Sequence, residues 1–132
     1  MFDILKAGAS GLVAQRTRMD TIANNVLNIN TTRNENNEKI PFRRRLVEMA
    51  PGDGDGGIGV HVRKIAEDPS PFNVRNEPGH PDADANGNVL YPNVDLSIEY
   101  VNMMEASRAY DANITMMETA KQMFSSALRL IA

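Results

Sequence analysis

Apolar residues return at helical spacing over both ends of the chain and at strand spacing in its middle. Leu5, Leu12, Met19 and Val26 stand seven apart, with Phe2, Ala9 and Ala23 between them and Arg16 as the exception. A sevenfold repeat keeps one stripe of a helix facing a partner, so this pattern predicts an N-terminal helix of about 27 residues with a continuous seam. The C-terminal pattern is longer. From Tyr100 the steps alternate three and four through Met103, Ser107, Tyr110, Ile114, Met117, Lys121, Phe124, Leu128 and Ile131, broken only by Ser107 and Lys121. Asn93 is the expected N-cap of this helix, with Asp95 in the first turn and Arg129 in the last, where each suits the helix dipole. A second row, Ala106, Ala109, Ala112, Ala120 and Ala127, is small enough to let other helices approach. In the middle, Arg43–Met49, Gly59–Ile65 and Val89–Tyr91 read as strands, with a Gly-rich loop over Gly52–Gly57 and a turn at Asn86-Gly87.

Proline and glycine sharpen the division. All seven prolines lie between Pro41 and Pro92, and seven of the nine glycines between Gly52 and Gly87, so long helices fit the ends and not the middle. The expected fold is α+β: two long terminal helices, 1–32 and 93–132, pair as an antiparallel coiled coil, and 33–92 forms a small β-rich domain. A helix from Val94 to Ile131 would be ~57 Å long at ~1.5 Å per residue. A compact chain of this size is only ~36 Å across. The seams therefore outrun any globule the chain can make, and they call for partners in other chains.

Composition narrows the chemistry. The net charge of −3 argues against nucleic-acid binding, and the absence of cysteine excludes disulfides, thiolate metal sites and a cysteine nucleophile. No apolar run approaches the ~18 residues of a membrane span, and the N-terminus lacks the layout of a signal peptide. His61 and His80 have no partner motif for catalysis, so a histidine satisfied by a backbone carbonyl is the expectation for each. Asp82-Ala83-Asp84-Ala85-Asn86-Gly87 opens like a calcium loop, but its twelfth position is Asn93 where a bidentate Glu belongs. A self-bonded turn without metal is expected instead. Arg43-Arg44-Arg45 would alternate across a strand and meet acidic neighbours such as Glu67 and Asp68. No catalytic group, cofactor, metal or small-molecule substrate is expected.

Seven asparagines crowd Asn24 to Asn37 and should end the first helix near Asn28 to Thr32. Asn24 and Asn25 precede that end, where only a polar partner, in the second helix or in another chain, repays them. The run Ile22-Ala23-Asn24-Asn25-Val26-Leu27-Asn28-Ile29-Asn30-Thr31-Thr32 resembles the N-terminal signature of the bacterial flagellar rod, hook and hook-associated family. Pro78-Gly79-His80-Pro81-Asp82-Ala83-Asp84 with Leu90-Tyr91-Pro92-Asn93-Val94-Asp95 narrows the likeness to its proximal rod subunits. Val101 to Asn113 resembles the C-terminal signature of the same subunits. The resemblance implies a structural subunit of the periplasm-spanning basal-body rod, exported by the flagellar type III apparatus without a cleaved signal peptide. Its partners would be other rod subunits, further copies of itself and the export apparatus. The candidate assembly residues are the two seams, Leu5 to Val26 and Tyr100 to Ile131 without Ser107 and Lys121, together with Asn24, Asn25, Asn28 and Asn30. A small helical binding module such as an export adaptor is the alternative; it would stay monomeric or dimeric without its client.

Overall fold

Helix α1 runs from Phe2 to Leu27 and α2 from Leu96 to Ile131, 26 and 36 residues respectively, in a computed structural model that describes residues 2–132. Between them lie β1 (Arg45–Pro51), β2 (Val60–Glu67), β3 (Asn73–Asn76) and β4 (Asn88–Tyr91). The helices pair antiparallel, as the chain pattern predicts. Gly8 lies against Met117, Gly11 against Asn113, Arg18 against Glu105 and Asn25 against Glu99. Each pair of numbers adds to nearly the same total, so one register holds along the whole of α1.

The line of α1 that meets α2 differs from the apolar seam. Its buried residues are Gly8, Gly11, Ala14, Thr21, Ile22 and Asn25, while Leu5, Leu12, Met19 and Val26 are half-buried beside them. Close approach explains the choice: a Cβ added at Gly8 would fall 2.5 Å from Met117 Cγ, and one at Gly11 2.8 Å from Asn113 Nδ2. On α2 the fully buried residues are Glu99 and Ala106, again small or polar. Of the alanine row, Ala106 is buried, Ala109 and Ala120 are half-buried, and Ala112 and Ala127 face solvent.

The expected Asn93 cap is corrected to Asp95. Its carboxylate accepts from the N–H groups of Ser97 (2.8 Å) and Ile98 (3.3 Å), the first free donors of α2. Asn93 is committed elsewhere. Its Oδ1 accepts from the Arg44 N–H at 2.9 Å and its Nδ2 donates to Ser70 Oγ at 2.8 Å. A carboxylate could accept but not donate, so an amide suits both bonds.

Strands β1 and β2 form an antiparallel hairpin with a bulge between Glu48 and Met49; β1 lies two residues further along the chain than expected, and β2 begins one residue later and ends two later. The ladder is laid along α1 and tied at both ends. Asn25 bonds Arg45 at one end, and Ser10 Oγ accepts from the Val60 N–H at 3.1 Å at the other. From Ser10 to Asn25 the helix rises ~22 Å, and seven residues of strand cover ~23 Å, so the two lengths match. Gly59 makes the second tie possible: its φ is +123°, and a Cβ there would run into Ser10 Oγ.

The second hairpin, β3–β4, pairs Asn73 with Tyr91 through Asn76 with Asn88. Asn86-Gly87 is therefore not a two-residue hairpin turn but the end of a longer loop, closed where the Glu77 N–H donates to the Gly87 carbonyl at 2.8 Å. Strand β3 is absent from the sequence pattern because Asn73-Val74-Arg75-Asn76 has a single apolar residue; pairing with β4 makes it a strand. The buried apolar side chains among the described residues, proline aside, are Ala14, Ile22, Val89, Tyr91, Val94 and Ala106. Among the described residues no helix is long and apolar enough to cross a membrane.

Candidate functional site

Where α1, α2 and the first hairpin meet, the packing is polar. Glu99 is fully buried in the first turn of α2, at 0% exposure. Its Oε1 accepts from Arg44 Nε at 2.6 Å, and its Oε2 accepts from Asn25 Nδ2 at 3.2 Å. Arg44 NH1 reaches Asp68 Oδ2 at 3.2 Å, beyond the end of β2. Asn25, 1% exposed, also donates to the Arg45 carbonyl and accepts from the Arg45 N–H, both at 2.9 Å. One carboxylate, one guanidinium and one amide thus join four stretches of chain. Burial opposes the Arg44 charge, but Glu99 and then Asp68 outweigh it and hold the guanidinium above its usual value. Asp68 is held below the usual carboxylate range, first by the Ser70 N–H, then by the Ser70 hydroxyl and Arg44. A cleft of about 330 Å³, lined by Thr21, Ile22, Val47 and Asn102 among others, opens beside this junction.

Of the arginine cluster only Arg45 lies within β1, and Arg43 and Arg44 precede it. Arg44 turns inward to Glu99 and Asp68, the latter one of the acidic neighbours expected for it. Arg43 donates to the Asp68 and Ser70 carbonyls and lies over the Phe72 ring, while Arg45 lies over Phe42. Glu99 escaped the sequence reading because it stands beside the apolar seam. Its one signal was position: Glu99, Ala106 and Asn113 repeat every seven residues, on the row that faces α1.

The Asp82 segment forms a second junction. Asp82 accepts from Arg33 Nε and from Thr32 Oγ1, each at 2.7 Å, so it pins the asparagine-rich loop to the second hairpin. Those two bonds, Arg33 first, hold its carboxyl below the usual range. Asp84 Oδ1 accepts from the N–H groups of Asn86 and Asn88, a turn closed by its own side chain. His61 Nδ1 lies 2.9 Å from the Gly52 carbonyl, as expected of a backbone-held histidine. His80 differs: its Nδ1 accepts from the Asp82 N–H at 3.0 Å.

These bonds set an expectation for pH and metal. The Asp82 carboxyl sits below its unfolded value of ~3.9, so its anchor is at full strength above that value and is lost as pH falls through the lower folded one. Protection of the amides in 31–39, relative to their exchange rates in unstructured chain at the same pH, should therefore fall below about pH 4, and Asp82→Asn should lower it at neutral pH. Millimolar calcium should leave Tm unchanged; a chelator-reversible rise would refute the turn.

The remaining candidate residues are half-buried or exposed on the helices, or lie just beyond α1 in the case of Asn28 and Asn30. Asn24 and Asn30 are exposed, and Asn28 ends α1 by donating to the Asn24 carbonyl at 2.8 Å. Met103, Tyr110, Ile114 and Met117 are half-buried, and Tyr100, Phe124, Leu128 and Ile131 are exposed. Two apolar grooves mark the ends of the helix pair. One is lined by Phe2, Leu5, Met117 and Phe124, the other by Ile22, Ala23, Val26, Leu27, Tyr100 and Met103.

A long helix pair with bare apolar faces and a lightly cored β domain defines the class of subunits that complete their packing in an assembly. Comparison with known proteins bears on which. Residues 5–33 match the family described as flagella basal body rod protein, and residues 85–130 match the flagellar basal body rod FlgEFG protein C-terminal family. The chain belongs to the flagellar basal-body rod protein family. Over nearly its full length it is similar to rod proteins named FlgC. That of Bacillus subtilis strain 168 is 40% identical, covering 98% of this chain and 97% of the relative. That of Borreliella burgdorferi is 37% identical over 99% and 97%, and that of Salmonella typhimurium strain LT2 38% over 98% and 97%.

Proposed function

We propose that this chain is a structural subunit of the flagellar basal-body rod that holds its place, and passes torque, by packing helix faces against other subunits. It performs no chemistry of its own. Its surface carries the proposal: it presents 8994 Å², where a folded monomer of 14.6 kDa presents ~6,900 Å². The excess, about 2,000 Å², is of the order that a stable interface removes. Export by the flagellar type III apparatus and a station in the periplasm-spanning part of the rod belong to the same proposal. So do the division at residues 32 and 92 and the assembly role of the two seams.

Incorporation into basal bodies tests it. Tyr100 and Phe124 are exposed in the single chain, so a charge at either position leaves the fold intact. Tyr100→Asp and Phe124→Asp should each abolish incorporation and motility while amide protection in β1 and β2 stays as it is. Rods that form normally with both variants would overturn the proposal.

A further inference from the structure

We propose that Met117 is an oxidation site, where conversion of the thioether to its sulfoxide by a peroxide unseats the N-terminal half of α1 from α2. Met117 fills the notch that Gly8 leaves in α1. A Cβ at Gly8 would fall 2.5 Å from Met117 Cγ and 2.9 Å from Sδ, so the thioether lies directly on the backbone of the facing helix. Asn113 lies over Gly11 in the same way. These two contacts hold the helices together at this end. Met117 is nevertheless only half-buried, and it lines the groove of Phe2, Leu5 and Phe124, about 450 Å³ in volume. A molecule the size of hydrogen peroxide can therefore reach the side chain.

The chain has no cysteine, so thioethers are its oxidisable sulfur. The sulfur lone pair takes one oxygen of hydrogen peroxide, the O–O bond breaks, and the other oxygen leaves as water. Sulfur loses two electrons and the peroxide gains them. The product is a polar side chain with one more heavy atom on sulfur. The notch has no room for that oxygen, and the N–H groups of α1 around Gly8 are already bonded within the helix. Among the described side chains that line the groove, Lys121 alone carries a donor. It stands one turn beyond Met117 on α2, so the sulfoxide meets it only by turning out of the notch. The other methionines of this region behave differently. Met104 and Met123 are 50% and 69% exposed, so water solvates their sulfoxides in place. Met116 comes near the Gly8 notch only with its terminal methyl and is 41% exposed. The Asn25–Glu99–Arg44 junction lies ~26 Å from Gly8 along α1, at ~1.5 Å per residue, and keeps the far end of the pair closed.

Hydrogen peroxide on the full chain tests this, with mass spectrometry to place the oxygen and amide exchange to read the helices. In the parent chain, the Met117 sulfoxide should lower protection of the amides in 7–14 by ~10-fold, the effect of one buried polar group without a partner. Those in 19–27 should keep their protection. Methionine sulfoxide reductase should restore what was lost. Met117→Leu removes the sulfur and nearly keeps the volume, so its amides in 7–14 should hold through the same treatment. A chain with Met104→Leu and Met123→Leu should lose protection as the parent does. Three results would each overturn the proposal: full protection with Met117 oxidised, an equal loss in Met117→Leu, or an intact Met117 when Met104 and Met123 are oxidised. All of these measurements are made on the free chain, so they stand or fall without the rod function.

Discussion

Arg44→Met should lower Tm by about 10–25 °C. Removing one partner of a buried ion pair costs ~3–5 kcal/mol, and a chain of this size loses ~3–5 °C per kcal/mol. The cost falls on Glu99, which has no exposure to water and keeps only Asn25 as a partner. Asp68 is less affected, because the Ser70 N–H still donates to it at 2.9 Å. Arg44→Met combined with Glu99→Leu should recover most of the loss, since apolar replacements of a buried pair approach neutrality. Thermal unfolding of the single and double variants decides the matter. If both melt alike, Arg44 contributes packing and the ion pair contributes nothing.

Asn25→Leu should release the first hairpin from α1. The substitution leaves the Arg45 N–H, the Arg45 carbonyl and Glu99 each short of a partner. A buried group left unpaired costs ~1–3 kcal/mol, so the chain should lose at least about 2 kcal/mol. Amides of β1 and β2 should exchange faster, while those of β3 and β4, tied through Asp82 to Thr32 and Arg33, should not change. Unchanged exchange in β1 and β2 would show that Ser10 and Arg44 hold the hairpin without Asn25. The polar partners of Asn25 thus lie within its own chain, in α2 and at the start of β1, and its first effect is on the monomer.

The two junctions suit a part that carries load. The Asn25–Glu99–Arg44 bonds supply a fixed register, and they attach the hairpin at the same point. The Asp82 anchor then holds the asparagine-rich loop on the second hairpin.

Much of this architecture is written in the order of residue types along the chain. The absence of proline and glycine from the long C-terminal run, and its three-and-four spacing, determine α2. The sevenfold repeat determines α1, and the asparagines end it because their side chains compete for backbone groups. The confinement of proline to the middle determines the α+β division, and three signature runs mark the family. These features are local, and propensity and periodicity act within a few residues.

The tertiary structure alone decided which faces meet. Hydropathy weighs large apolar side chains, so Leu5, Leu12, Met19 and Val26 stand out in the sequence. The helices chose the adjacent row of Gly8, Gly11, Ala14 and Asn25, because small residues let the backbones approach and the large ones then remain beside the contact. Glu99 and Arg44 are ordinary surface residues by type; burial together makes them a junction, and their 55-residue separation carries no local signal. Strand β3 exists only because β4 pairs with it. The cap passed from Asn93 to Asp95 because the Arg44 N–H and the turn at Ser70 took the amide. In each case a residue had two acceptable local states, and a contact distant in sequence selected one.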